Sequence, residues 1–156
     1  MATVYVESTV ISYRAARPSR DLVAAAHQQI TVEWWDTILP FLSPFVSQFV
    51  LEEISRGDPE AVKRRRQLIR DLPMLDMSPP IADLAAEYFA AIRLPESARV
   101  DALHMALAVH HNLDYLVTWN CTHIAGARVR AVVHEINDAH GIATPVICTP
   151  EELMEV

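Results

Sequence analysis

Tyr115-Leu116-Val117-Thr118-Trp119-Asn120 is the segment that sets the architecture. Its first four residues show no alternation of polar and apolar sides. That is the pattern of a strand covered on both faces, which parallel sheets require. Parallel strands need long crossover connections, usually helical, so helices are expected between this strand and its neighbours. The rest of the chain supplies them. Thr3-Val4-Tyr5-Val6 reads as a first strand, and residues 8–14 read as a helix capped by Ser8 or Thr9. Ala26, Ile30, Trp34, Ile38 and Leu42 recur every fourth residue, so 21–42 is a long helix whose end Pro40 kinks. Strands are expected at 45–47 and, weakly, at 74–77. Helices are expected at 49–55, at 60–71 after the turn Gly57-Asp58-Pro59, at 81–92, at 99–111 and at 121–139. A last strand at 145–148 leads to a terminal helix opened by Thr149-Pro150-Glu151. This alternation implies an α/β fold in three layers, with a central, mainly parallel sheet between helices. Ligands of such sheets bind at the carboxyl ends of strands, where the strand order reverses.

A chain of 156 residues, half of them apolar, forms one domain with a substantial core. Its net charge of −7 argues against a general electrostatic grip on nucleic acid, so any such contact must be local or bridged by metal. No apolar run approaches the ~20 residues of a membrane span, and the start lacks the basic, then apolar, pattern of a signal peptide. Cys121 and Cys148 have no metal-ligand spacing and read as reduced, part-buried thiols of a cytoplasmic protein.

The residues around the expected strand ends carry the chemistry. Glu7 closes the first strand and is followed by Ser8 and Thr9. It reads either as a metal ligand or as a helix-start acid favoured by the helix dipole. Glu52 and Glu53 follow the second strand; their position alone leaves open which points inward, and an ordinary solvated acid is the plainer reading. Asp101 opens an almost wholly apolar helix, as a cap or as a functional group at the edge of the core. His104 lies one turn on, either beside a ligand or as a core-edge histidine with a backbone partner. Asn120 suits a helix cap, with His123 at the third helical position. Lys63-Arg64-Arg65-Arg66 with Arg70 is the one dense basic run, which reads as a solvated face before it reads as a phosphate patch. Three carboxylates and an amide make an oxygen-rich site suited to Mg²⁺ or Mn²⁺. Gly-x-Ser-x-Gly, Walker and Gly-x-Gly-x-x-Gly motifs are absent from the sequence.

Four motifs in series then resemble the PIN-domain family, specifically its VapC-type toxins. They are Val4-Tyr5-Val6-Glu7-Ser8-Thr9-Val10-Ile11, Ser47 through Glu53, Asp101 through Ala108, and Leu116 through Ile124. They occur in the family's order and span nearly the whole chain. The resemblance implies a single PIN-like domain over 1–156, with Glu7, Glu53 and Asp101 as metal ligands and Asn120 beside them in the catalytic group. Ser8, His104, Thr118 and His123 would surround the ligands. It further implies a metal-dependent endoribonuclease acting on RNA, a peptide or protein antitoxin, and a homodimer. Three positions depart from the pattern. Glu7 stands where Asp is usual, and Asn120 and His123 where relatives often carry acids, which favours one ion over two. The alternative is a catalytically silent PIN-like module that binds nucleic acid or protein; a DNA-directed nuclease of the same fold is a third reading.

Overall fold

β1 (Thr3–Val6) is built of β-branched and aromatic residues, and Val4, Tyr5 and Val6 are fully buried. In the computed structural model, which describes residues 1–155, β1 is a central strand. β2 (Ser43–Phe45) pairs parallel with one side of it, β3 (Tyr115–Val117) pairs parallel with the other, and β4 (Val146–Cys148) pairs parallel with β3. The order β2-β1-β3-β4 gives an all-parallel sheet. Leu116 and Val117 are inaccessible to solvent, as a strand covered on two faces must be. The strand order reverses between β1 and β3, so the crevice expected of such sheets opens just beyond Val6 and Val117.

The connections are α1 (Ser8–Ala15), α2 (Leu22–Thr37), α3 (Gln48–Ile54), α4 (Pro59–Ile69), α5 (Pro79–Ile92), α6 (Arg99–His110) and α7 (Ala127–Ala139). α1 packs on α2, α3 and α4, while α5 packs on α6 and α7. The stripe read from 81–92 is realised in α5, where Ile81, Ala85, Tyr88 and Ile92 are buried. Tyr88 donates its hydroxyl hydrogen to Asn137 of α7, and Asn137 Nδ2 donates to Thr144 Oγ1 at 2.9 Å, so the polar groups of this layer are paired. Among the described residues no helix is long and apolar enough to cross a membrane.

Several expectations change. The helix expected over 21–42 stops at Thr37, and Pro40 sits in a 3₁₀ turn, Leu39–Phe41, because proline cannot donate to the preceding turn. Its expected stripe is buried at Trp34 but exposed at Ala26. β2 lies two residues before 45–47, and the strand expected at 74–77 is a single bridge between Val46 and Met74. α7 starts at Ala127 rather than 121, because residues 121–125 turn about Asn120: its carbonyl accepts from the amides of Ile124 and Ala125. His123 is therefore not helical. Glu7 caps α1 in place of Ser8 or Thr9, accepting from the amide of Thr9. The segment after Thr149 is a turn rather than a helix, and Cys121 is exposed, leaving only Cys148 as a buried thiol.

Candidate metal centre

The crevice is lined first by Glu7. β1 ends there, and the amide of Glu7 extends the ladder to the carbonyl of Val117 at 3.1 Å. Its side chain is 2% exposed and takes three hydrogen bonds on one oxygen. Oε1 accepts from the Thr9 amide at 3.2 Å, from Thr9 Oγ1 at 2.5 Å and from Thr118 Oγ1 at 2.6 Å. Among the described residues none donates to Oε2. Three donors on one oxygen fix the carboxylate while leaving the other free to bind a cation.

Glu53 reaches the same place from α3. Its Oε1 accepts from Ser8 Oγ at 2.6 Å and meets His104 Nε2 at 2.5 Å. Glu52, its neighbour, is exposed. The ambiguity between the two acids is thus resolved by helix phase: Glu53 follows Val50 by three positions and shares its inward side. His104 is wholly buried on α6, with Nδ1 2.5 Å from the Tyr5 hydroxyl, which in turn lies 2.8 Å from Ser47 Oγ. The chain Ser47–Tyr5–His104–Glu53–Ser8 runs through the sheet and ends at the crevice.

Glu7, Glu53 and His104 each offer a ligand atom within 4.8 Å of the others. Both nitrogens of His104 are nevertheless engaged, and the ring has no solvent access. A histidine so held positions Glu53 rather than binding an ion itself. Asp101, in the first turn of α6, stands on the same cavity though outside that 4.8 Å grouping. Mg²⁺ commonly keeps several waters and takes only one or two carboxylates directly, so the spacing fits an ion that reaches Asp101 through water.

The electrostatics agree. Burial pushes the Asp101 carboxyl up from its ordinary value; the charges of Glu7 and Glu53 add to this, against the opposing pull of His104 and His123. Burial also raises Glu53, but the His104 hydrogen bond and charge, with Ser8 and Arg56, outweigh it and leave Glu53 low. A carboxyl raised first by burial and further by two neighbouring acids marks a site that a cation relieves. The donor set, two carboxylates with free oxygens and a third across the cavity, therefore fits a hard divalent ion.

Around the acids, Asn120 Oδ1 accepts from the His123 amide at 2.9 Å, so the amide side chain holds the turn after β3 while lining the cavity. His123 Nδ1 stands 3.3 Å from Asp101 Oδ2. Thr118 is buried and links Glu7 to the Asn120 amide at 2.9 Å. The cavity has a volume of about 520 Å³ and brings together Glu7, Ser8, Glu53, Asp101 and Asn120. His104, Thr118 and His123 do not line it but touch Glu53, Glu7 and Asp101 in turn.

Sequence reasoning missed three contributors. Thr9 anchors Glu7 and also accepts from the Trp119 amide at 2.9 Å. Arg65, set aside with the solvated basic face, lines the cavity; its Nη1 donates to the carbonyls of Ile54 and Arg56 at 3.0 and 2.9 Å, so it closes the carboxyl end of α3. Tyr13 forms the far wall, and its spacing of four from Thr9 on α1 was the available signal. A larger concavity, about 680 Å³, lies along α4 beside Lys63, Arg66 and Arg70, away from the acids.

An all-parallel β2-β1-β3-β4 sheet between helical layers, with its crevice at the ends of β1 and β3, is a three-layer PIN-like α/β/α fold. The chain is similar to the solved structure of VapBC2 from Rickettsia felis bound to a DNA fragment from their promoter, at 13% identity and a TM-score of 0.60. That match covers 94% of this chain and 98% of the other. It is also similar to FitAcB from Neisseria gonorrhoeae, at 14% identity and a TM-score of 0.58, with 96% and 99% of the two chains covered. At these identities the likeness establishes the fold, and the resemblance drawn from the motifs is met at that level. No family model and no curated protein matches the sequence.

Proposed function

We propose that the chain is a metal-dependent endoribonuclease and the toxin of a toxin–antitoxin pair, with Glu7, Glu53 and Asp101 as ligands of one Mg²⁺ or Mn²⁺ ion. The observation that carries this reading is the convergence of three carboxylates on one crevice, two of them with an oxygen that receives no donor among the described residues. When bound, the ion supplies Lewis-acid polarisation of phosphate and an acidified water. The chain's own residues do the positioning. Thr9 and Thr118 fix Glu7, and Ser8 and His104 fix Glu53. Asn120 Nδ2, which has no partner among the described residues, is free to donate to a substrate oxygen. Arg65 brings a fixed positive charge to the same cavity, where a phosphodiester enters among acids.

The whole of 1–156 acts in this reading as a single PIN-like domain in the cytoplasm, as a homodimer inhibited by a protein antitoxin. The similar VapBC2 and FitAcB structures support the pairing. The test is cleavage of a structured RNA and of a matched single-stranded DNA by purified chain, with Mg²⁺, Mn²⁺ or EDTA. RNA cut only with metal, and not by Asp101→Asn, is the expected result. DNA cut in its place would move the substrate to the DNA-directed reading, and equal cutting by Asp101→Asn would remove the site assignment.

A second reading, a catalytically silent binding module, is favoured by Asn120, whose Oδ1 is committed to the His123 amide. It predicts no thermal stabilisation by Mn²⁺, whereas an ion at 100 times its dissociation constant adds about 2.7 kcal/mol.

A further inference from the structure

The cavity that holds the acids extends past them to a wall that metal binding does not use. Tyr13, Ser12 and Gln28 line that far end. His27 and Trp119 stack at 4.0 Å and 13°, and Tyr13 stands 5.9 Å from one and 6.2 Å from the other, at 88° and 80°. Nearly equal distances to two stacked rings place Tyr13 beside the pair rather than on top of it. The stack is itself tied down, because Trp119 Nε1 donates to Thr31 Oγ1 at 2.7 Å and the Trp119 amide to Thr9 Oγ1. Tyr13 is thus a braced, half-buried ring with a hydroxyl that has no hydrogen-bond partner among the described residues.

Its distance from the acids is set by α1. Thr9, whose hydroxyl holds Glu7, precedes Tyr13 by four residues, about 6 Å along a helix axis. That is of the order of the span from phosphorus to base within one nucleotide. The cavity of about 520 Å³ falls within the ~300–1,000 Å³ range of small-ligand sites. It has acids and Arg65 at one end and, at the other, the Tyr13 ring with the hydroxyls of Ser12 and Tyr13, neither of which has a hydrogen-bond partner among the described residues.

We infer that the Tyr13 end of this cavity is a nucleobase subsite, which takes the unpaired base of the nucleotide whose phosphate lies at the acids. The inference rests on the nuclease reading above and adds the strand's required form. A base inside a duplex cannot reach Tyr13, so the substrate segment must be single-stranded or splayed out.

The test uses probes that have no phosphodiester to cut. Adenosine 5′-monophosphate and ribose 5-phosphate, which lacks the base, are titrated with Mg²⁺ into the full chain and into Tyr13→Phe and Tyr13→Leu. Stacking on one aromatic ring is worth about 5- to 150-fold in affinity. Wild type and Tyr13→Phe should prefer the nucleotide by a factor in that range, and Tyr13→Leu, which keeps apolar bulk, should bind both probes alike. In parallel, Tyr13→Leu should raise KM for a short unpaired RNA by a similar factor and leave kcat within about twofold; this arm decides if the monophosphates bind too weakly to titrate. An unchanged preference or KM in Tyr13→Leu, with wild type cutting RNA, overturns the subsite alone. A wild-type chain that neither binds the probes nor cuts RNA overturns the nuclease reading and the subsite together.

Discussion

Replacing His104 by leucine puts an apolar side chain of comparable bulk in a wholly buried position, so its main effect is the loss of two hydrogen bonds. One joins Nε2 to the Glu53 carboxylate and one joins Nδ1 to the Tyr5 hydroxyl, both at 2.5 Å. A hydrogen bond to a charged group contributes about 1.5–3 kcal/mol and a neutral one about 0.5–1.5 kcal/mol. Tyr5 keeps Ser47 and Glu53 keeps Ser8, so neither group is left without a partner. The expected cost is about 3 kcal/mol, or roughly 6–12 °C in Tm for a chain of this size. The cost also depends on pH. Burial pushes His104 down, but the Glu53 hydrogen bond and the charges of Glu7, Glu53 and Asp101 push it further up, so it is raised from its ordinary 6.5. A raised histidine contributes fully below pH 6.5, and its contribution is lost as pH climbs through the folded value. Glu53 is lowered from its ordinary 4.5, so its share is present above that value and is lost in stronger acid. Thermal melts of both proteins in EDTA, from pH 4 to 9, should show the widest gap between about pH 4.5 and 6.5. A gap that is absent, or that widens toward pH 9, would refute the charged pair.

Three further outcomes follow from the same geometry. Thr118→Val keeps the shape of the side chain but takes a donor from Glu7 and an acceptor from the Asn120 amide, so urea unfolding should show a loss of about 2–3 kcal/mol. Gly126→Ala would set its Cβ 2.6 Å from the carbonyl oxygen of Cys121, and the turn that carries Asn120 must shift; a Tm loss equivalent to about 1–3 kcal/mol is expected. Alkylation at pH 8 should label Cys121 alone in the folded chain and both thiols after unfolding. Cys148 is buried, and that burial pushes its thiol up to about 12.

The architecture was legible because β1 and β3 are short and rich in β-branched, aliphatic and aromatic residues, and because α5 carries an unbroken stripe. Periodicity sees such elements well. It failed where local chemistry ended an element: Pro40 cut α2 short, and the turn about Asn120 delayed α7 until after Gly126. The expected strand at 74–77 had the right composition but only one bridge to hold it. At the crevice, the residue types and strand ends pointed to Glu7, Asp101 and Asn120, the family motif chose Glu53 over Glu52, and one cavity gathers all four. What the spacing could not convey was long-range pairing. Tyr5 with His104 and Thr9 with Trp119 are each about a hundred residues apart, and only the folded sheet brings them together. Arg65 escaped notice for a related reason, because a basic run on a helix looks solvated until one member is seen to bond the end of α3.

Glu7, Glu53 and Asp101, gathered on the cavity beyond β1 and β3, should hold a divalent ion. Calorimetric titration of Mn²⁺ into the metal-free chain, and into Glu53→Gln and Asp101→Asn, tests it most directly. One ion per chain in the wild type, bound at least about tenfold more weakly by each variant, is the predicted result. Absence of binding, or equal binding by all three proteins, would contradict it.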